Sequence, residues 1–147
     1  MELTQEQKVA ILKERVFPVD VEAFGRFFFP KHLNKTTPRF HKEVFGLFQS
    51  GSERIVVGAP RGHAKSTITD LVYLAWAITH GVYRFVILAS DTYSQSVLFL
   101  EALKAEFESN EKLRAFYGNL VTDKWSEGEA VIGQTMVKAI GAGMKVR

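Results

Sequence analysis

The chain has 147 residues, 46% hydrophobic and 24% charged, with a formal net charge of +3 and a sequence pI near 9.2. This is an ordinary composition for a soluble globular protein, with enough length for one domain and a real core. The absence of cysteine excludes a disulfide framework and a thiolate metal site, and His32, His41, His63 and His80 are scattered without metal-ligand spacing. The mild basicity permits a polyanionic partner without demanding one, since a dedicated DNA-binding module concentrates its charge.

The opening MELTQEQKVAIL lacks the basic start and apolar core of a signal peptide, and charges interrupt every apolar stretch before it can span a bilayer. The cytoplasm is the expected location. A first helix is predicted over 5–16, with Thr4 as cap, Gln7 in capping-box position and Pro18 beyond its end. A second runs over 21–28 and stops at Pro30. Residues 31–38 read as an irregular connector, and a third helix covers 39–48, with Phe40, Val44, Leu47 and Phe48 on one face. After a turn at 49–52 the character changes. Residues 54–58, RIVVG, form a short β-branched run, and a glycine-bearing loop and a helix over 65–79 follow. Ile68, Leu71, Val72, Ala75 and Ile78 share a face of that helix, and Gly81 closes it. Residues 84–89, RFVILA, are almost wholly apolar, which predicts a strand buried on both faces in a mostly parallel sheet. A helix over 93–108, capped by Asp91 or Thr92, a short helix over 111–116 and two strands joined around Gly133-Gln134 complete the order. This alternation is the grammar of a layered α/β domain. The expected fold is a three-layer α/β domain of P-loop NTPase type with a mostly parallel central sheet. Residues 1–50 are its helical preface and 51–147 its core.

The segment Ala59-Pro60-Arg61-Gly62-His63-Ala64-Lys65-Ser66-Thr67 carries the chemistry. Phosphate loops of the form G-x-x-x-x-G-K-[ST] cradle phosphates on backbone amides, reach them with the lysine and offer the hydroxyl to Mg²⁺. Here both glycine positions hold alanine, Ala59 and Ala64. The second matters more, because a Cβ there crowds the backbone approach unless φ stays negative. The setting of strand, loop and helix supports the reading, and the helix N-terminus adds anion-binding amides. Gly62, His63, Ala64, Lys65, Ser66 and Thr67 are the candidate nucleotide contacts, with Lys65 on the phosphates of ATP and Ser66 on Mg²⁺. Arg61 either compensates charge at the γ-phosphate or is a solvated or ion-paired arginine. His63 has no assigned chemical role beyond its place in the loop.

PRGHAKST after a strand resembles the phosphate loop of the ATPase domain of phage large terminase subunits, the DNA-packaging motors. In that family the loop is commonly P-R-x-x-x-K-[ST], and its arginine stands where Arg61 stands. The resemblance extends to Phe40 as an adenine-holding aromatic, to Ser90-Asp91 after the second strand, and to the glycine-rich stretch 141–147 ending at Arg147. It implies ATP and Mg²⁺ as cofactors, Lys65 and Arg61 as catalytic, and double-stranded DNA, a portal protein and a small terminase subunit as partners. It also implies an acidic strand and a nuclease domain beyond Arg147, so that this stretch alone is an inactive part of an ATPase. Two alternatives stand beside it: a helicase-like P-loop NTPase, and a catalytically inactive nucleotide-binding or structural domain. Asp70 reads as a surface residue and Asp91 as a helix cap. Asp123, Glu127 and Glu129 read as a solvated face, Trp76 as core, and Trp125 as packed on the sheet edge. Lys31, His32, Lys35, Arg39 and Lys42 form a loose basic cluster, either solvated or facing phosphates.

Overall fold

A capping box starts the chain's first helix. Thr4 accepts the amide of Gln7, and the Gln7 side chain accepts the Thr4 amide at 2.9 Å. The computed structural model describes residues 2–58 and 64–145. They divide into two units, Met1–Trp76 and Ala77–Arg147.

The first unit is helical. Helix α1 covers Gln5–Ile11 and continues as a π-helical turn over Leu12–Val16. Helix α2 covers Val21–Phe28, capped by Asp20, and α3 covers Arg39–Phe48, entered through Pro38. Phe17, Phe24, Phe28 and Phe29 are buried together, with Phe17 edge-on to Phe24 at 6.0 Å and to Phe28 at 5.1 Å. Phe24, Phe27 and Phe28 thus all pack against Phe17 within their own unit. Gly25 lets α2 approach the next helix: a Cβ there would lie 2.7 Å from Val72 Cγ1 and 2.8 Å from Leu33 Cδ1. That helix, α4, is π-helical over Thr67–Tyr73 and α-helical over Leu74–Thr79. Ile68, Leu71, Val72, Ala75 and Ile78 are all buried, as their period predicts. Gly81 (φ +65) then ends the helix in a Schellman motif, its amide bonding Ile78 O and that of Val82 bonding Ala77 O.

The second unit holds a four-stranded sheet. Strands β1 (Phe85–Ser90), β2 (Val121–Trp125), β3 (Glu129–Ile132) and β4 (Thr135–Gly141) lie in the order β1-β4-β3-β2. Helix α5, Tyr93–Ser109, packs on β4, β1 and β3, and α6, Glu111–Tyr117, follows it. Thr92 is the cap that α5 uses, accepting the Gln95 amide.

Three expectations about the sheet are corrected. It is mixed, with only β1 and β4 parallel, while β3 pairs antiparallel with both β4 and β2. The cause is local: Ile132 pairs with Thr135 across the two-residue loop Gly133-Gln134, and so tight a connection joins only antiparallel strands. Residues 54–58 form no strand, and Val56 is 94% exposed. The mostly parallel sheet expected of a P-loop NTPase is therefore not formed among the described residues. Strand β1 is also not buried on both faces. Among the described residues it is an edge strand, with Phe85 47% and Ile87 40% exposed.

Candidate functional site

The phosphate-loop candidates fall in two groups. Arg61, Gly62 and His63 lie outside the described residues, as does Ala59. Ala64, Lys65, Ser66 and Thr67 are described, and they stand where the chain turns into α4. Ala64 is exposed and takes φ +52, the one left-handed non-glycine residue among those described. The negative φ that would keep the Cβ clear of the backbone approach is therefore not adopted. Ala64 directly precedes Lys65, at the start of the helix. An L-residue with a Cβ takes this conformation at a cost of about 1–2 kcal/mol. Ser66 has already returned to right-handed helical angles (φ −65, ψ −39), and the Ile68 amide bonds Ala64 O at 3.0 Å. A left-handed residue followed by right-handed ones aims successive amides into one concavity, a backbone nest for an anion. Lys65, Ser66 and Thr67 are half-buried.

The other residues singled out by sequence sort as follows. Phe40 is half-buried in the first turn of α3, its ring 5.8 Å from that of His41. Asp70 is half-buried rather than a plain surface residue, and burial raises its carboxyl above the ordinary value. Asp91 is exposed. Trp76 is core: Nε1 donates to Phe17 O at 2.7 Å, and its ring stacks on Tyr73, which stacks on Phe48 at 4.2 Å. Trp125 donates to Glu108 Oε1 at 2.6 Å, and the Lys104 ammonium sits 5.4 Å from its ring. Glu129 is less solvated than its sequence suggests. It pairs with Lys124 at 3.0 Å and Lys138 at 3.9 Å, and the Lys124 hydrogen bond holds its carboxyl below the ordinary value.

Two polar arrangements carry no sequence signal. Lys104 is buried in α5 and bonds Glu101 at 2.7 Å and Ser126 O at 3.1 Å. Thr79, His80 and Tyr117 join through the imidazole, with Thr79 Oγ1 3.2 Å from Nδ1 and the Tyr117 hydroxyl 3.3 Å from Nε2. They line a concavity of about 330 Å³, and burial pushes the Tyr117 phenol up to about 12. A lone His-Gly at a helix end gives no hint of a tyrosine 37 residues further on.

Among the described residues no group of three or more His, Cys, Asp or Glu is placed to hold a metal ion. The fold also removes the support on which P-loop NTPase, ATP-binding hydrolase and packaging-terminase identities leaned. Those identities need a phosphate-loop strand inside a mostly parallel sheet, whereas residues 54–58 are irregular and the sheet is mixed. No helix among the described residues is long and apolar enough to cross a membrane. No protein-family model, curated protein or solved structure matches the chain.

Proposed function

We propose that this chain is a nucleotide-phosphate-binding domain without turnover of its own, gripping its anion at Ala64, Lys65 and Ser66. The observation that carries the reading is the left-handed Ala64 immediately before a Lys-Ser pair at the start of a helix. The nest supplies amides, the helix N-terminus adds its dipole, and Lys65 supplies full charge. ATP is the proposed ligand, with Mg²⁺ carried on it and the Ser66 hydroxyl offering one oxygen. These are ground-state contacts. Phosphoryl transfer also needs a water held in line and compensation of charge developing in the transition state, and the proposal assigns neither to a described residue. We extend the proposal to a cytoplasmic location, where ATP is plentiful. A portal protein and a small terminase subunit rest on the resemblance of the loop alone.

The test is calorimetric titration of ATP–Mg²⁺ into the chain and into Lys65→Ala, beside a phosphate-release assay. Binding that disappears in the variant, with no release in either, is expected. Robust release overturns the non-hydrolysing reading, and affinity indifferent to Lys65 overturns the site.

A further inference from the structure

Three elements end at one place. Helix α4 runs out at Thr79, α6 at Tyr117, and the turn between β3 and β4 falls at Gly133-Gln134. The Gly133 amide donates to Leu120 O at 2.7 Å, and the Thr135 hydroxyl donates to Tyr83 O at 2.7 Å. The turn is thus fastened both to the segment that leaves α6 and to the segment that leaves α4. Between them lies the concavity of about 330 Å³, with Thr79, His80, Tyr117 and Gln134 as its polar lining and Ile78 and Leu120 as its apolar lining. All of these residues belong to the second unit.

The lining offers hydrogen-bonding groups of both kinds, and no Asp, Glu, Lys or Arg belongs to it. A neutral imidazole donates from one ring nitrogen and accepts at the other, and a hydroxyl does both. With Thr79 Oγ1 3.2 Å from Nδ1 and the Tyr117 hydroxyl 3.3 Å from Nε2, the chain of hydrogen bonds can run in either direction. Burial pushes the Tyr117 phenol up to about 12, so it stays protonated and uncharged across the neutral range. Gln134, exposed at the rim, adds an amide with both an acceptor oxygen and donor hydrogens. A carboxylate or phosphate would meet no lysine or arginine here, and an ammonium no carboxylate, so either would lose hydration without a paired charge in return. The volume is at the small end of ligand sites, which start near about 300 Å³, and it suits a single substituted ring.

We propose that this concavity binds a small uncharged molecule built on one planar ring that carries a carboxamide or lactam. Such a group sets an acceptor oxygen beside a donor N–H. The Tyr117–His80 chain and the Gln134 amide can meet both, and Ile78 and Leu120 give the ring apolar contact. The site is independent of the nucleotide reading, since none of its residues belongs to the Ala64–Ser66 site.

The experiment follows backbone-amide NMR signals of the isotope-labelled chain near neutral pH, titrated with nicotinamide, nicotinate and pyridylmethylamine. The three probes share a ring and differ in charge. Nicotinamide is expected to shift the Gly81, Gly118, Gly133 and Gln134 amides saturably, with a Kd of about 1–10 mM for so few atoms. The anionic and cationic probes are expected to bind about tenfold more weakly or worse. Tyr117→Phe keeps the ring and removes the hydroxyl, and is expected to weaken nicotinamide about fivefold to tenfold. Gln134→Ala, at an exposed turn position, is expected to weaken it about threefold or more. Signal dispersion verifies that both variants fold. Tyr73→Phe removes a phenol outside the concavity and is expected to change nothing. Lys65→Ala is expected to leave nicotinamide binding unchanged too, so failure of the nucleotide site and failure of this one are separable. Equal affinity for a charged probe, or undiminished binding in Tyr117→Phe or Gln134→Ala, would overturn the proposal. So would the lack of any saturable shift at roughly 50 mM nicotinamide, which would leave the Thr79–His80–Tyr117 chain as a tie between two helix ends and no more.

Discussion

Replacing Ala64 with glycine is expected to stabilise the protein, against the usual direction of that substitution. Ala64 has φ +52 and is exposed, so the change removes backbone strain with little loss of packing. The left-handed conformation costs an alanine about 1–2 kcal/mol. Against that, glycine loses about 0.5–1 kcal/mol more conformational freedom on folding than alanine does. The balance favours glycine by about 0.5 kcal/mol, or about 0.2–0.5 M in a urea midpoint. Ala64→Val moves the other way by about 1 kcal/mol or more, because a β-branched residue is a true outlier at positive φ. Ala105, exposed inside α5, is the contrasting site, where the same alanine-to-glycine change is expected to destabilise by about 1 kcal/mol. Urea unfolding of the three variants beside the wild-type chain reads the signs. If Ala64→Gly is destabilised as Ala105→Gly is, the residue is not left-handed in solution and the nest does not exist. ATP–Mg²⁺ affinity is expected to follow the same order at position 64, kept or improved by glycine and lost with valine.

Three further outcomes follow from burial and close approach. Lys104→Ala removes two charge-assisted hydrogen bonds and the cation over Trp125, and is expected to cost about 2–3 kcal/mol, with a red shift of tryptophan emission as Trp125 gains solvent. Gly141→Ala would set a Cβ 2.5 Å from the Tyr93 backbone N and 3.1 Å from Thr92 C, atoms that cannot swing aside. A loss of about 1–3 kcal/mol is expected in thermal or urea unfolding. Asp70 has its carboxyl raised by burial from 3.8, so the folded state holds that proton more tightly than the unfolded chain. Its contribution therefore worsens as pH rises from 3.8 through the folded value. Asp70→Asn is expected to stabilise the protein at pH 7 and to lose that advantage in acid, which urea midpoints across a pH series would show.

The helices were legible because their signals are local. A cap such as Thr4 with Gln7, a breaker such as Pro30 and an apolar stripe such as Ile68-Leu71-Val72-Ala75-Ile78 each act within a turn or two of chain. The phosphate loop was legible only as a residue pattern. Pattern placed Lys65 and Ser66 at a helix start, where they are found. It could not give the φ of Ala64, because nothing in the residue type announces a left-handed alanine. The partners of Lys104 and of His80 were illegible for another reason: Ser126 and Tyr117 reach them from distant positions in the chain.

The sheet shows where hydrophobic pattern stops carrying information. A run such as Phe85-Val86-Ile87-Leu88-Ala89 has no alternation, and burial on both faces is the usual cause. In the fold the run lies at an edge, with Phe85 and Ile87 well exposed and Leu88 buried. Pattern could not separate the two because an apolar residue is compatible with either face, and only a polar one would have marked the exposed side. Strand β2, at the other edge, does carry such marks. Asp123 and Lys124 lie within it, and its pairing register with β3 breaks between Val121 and Trp125. Charge and irregularity are how proteins protect an exposed edge, and β1 has neither in its six residues. Direction was a separate question that strand composition does not answer. It was decided by Gly133, whose φ of +60 suits a two-residue turn and so turns β4 back against β3. The apolar strand β1 does pair parallel with β4, but the turn at Gly133 fixes β3 antiparallel to β4, and that is why the sheet as a whole is mixed.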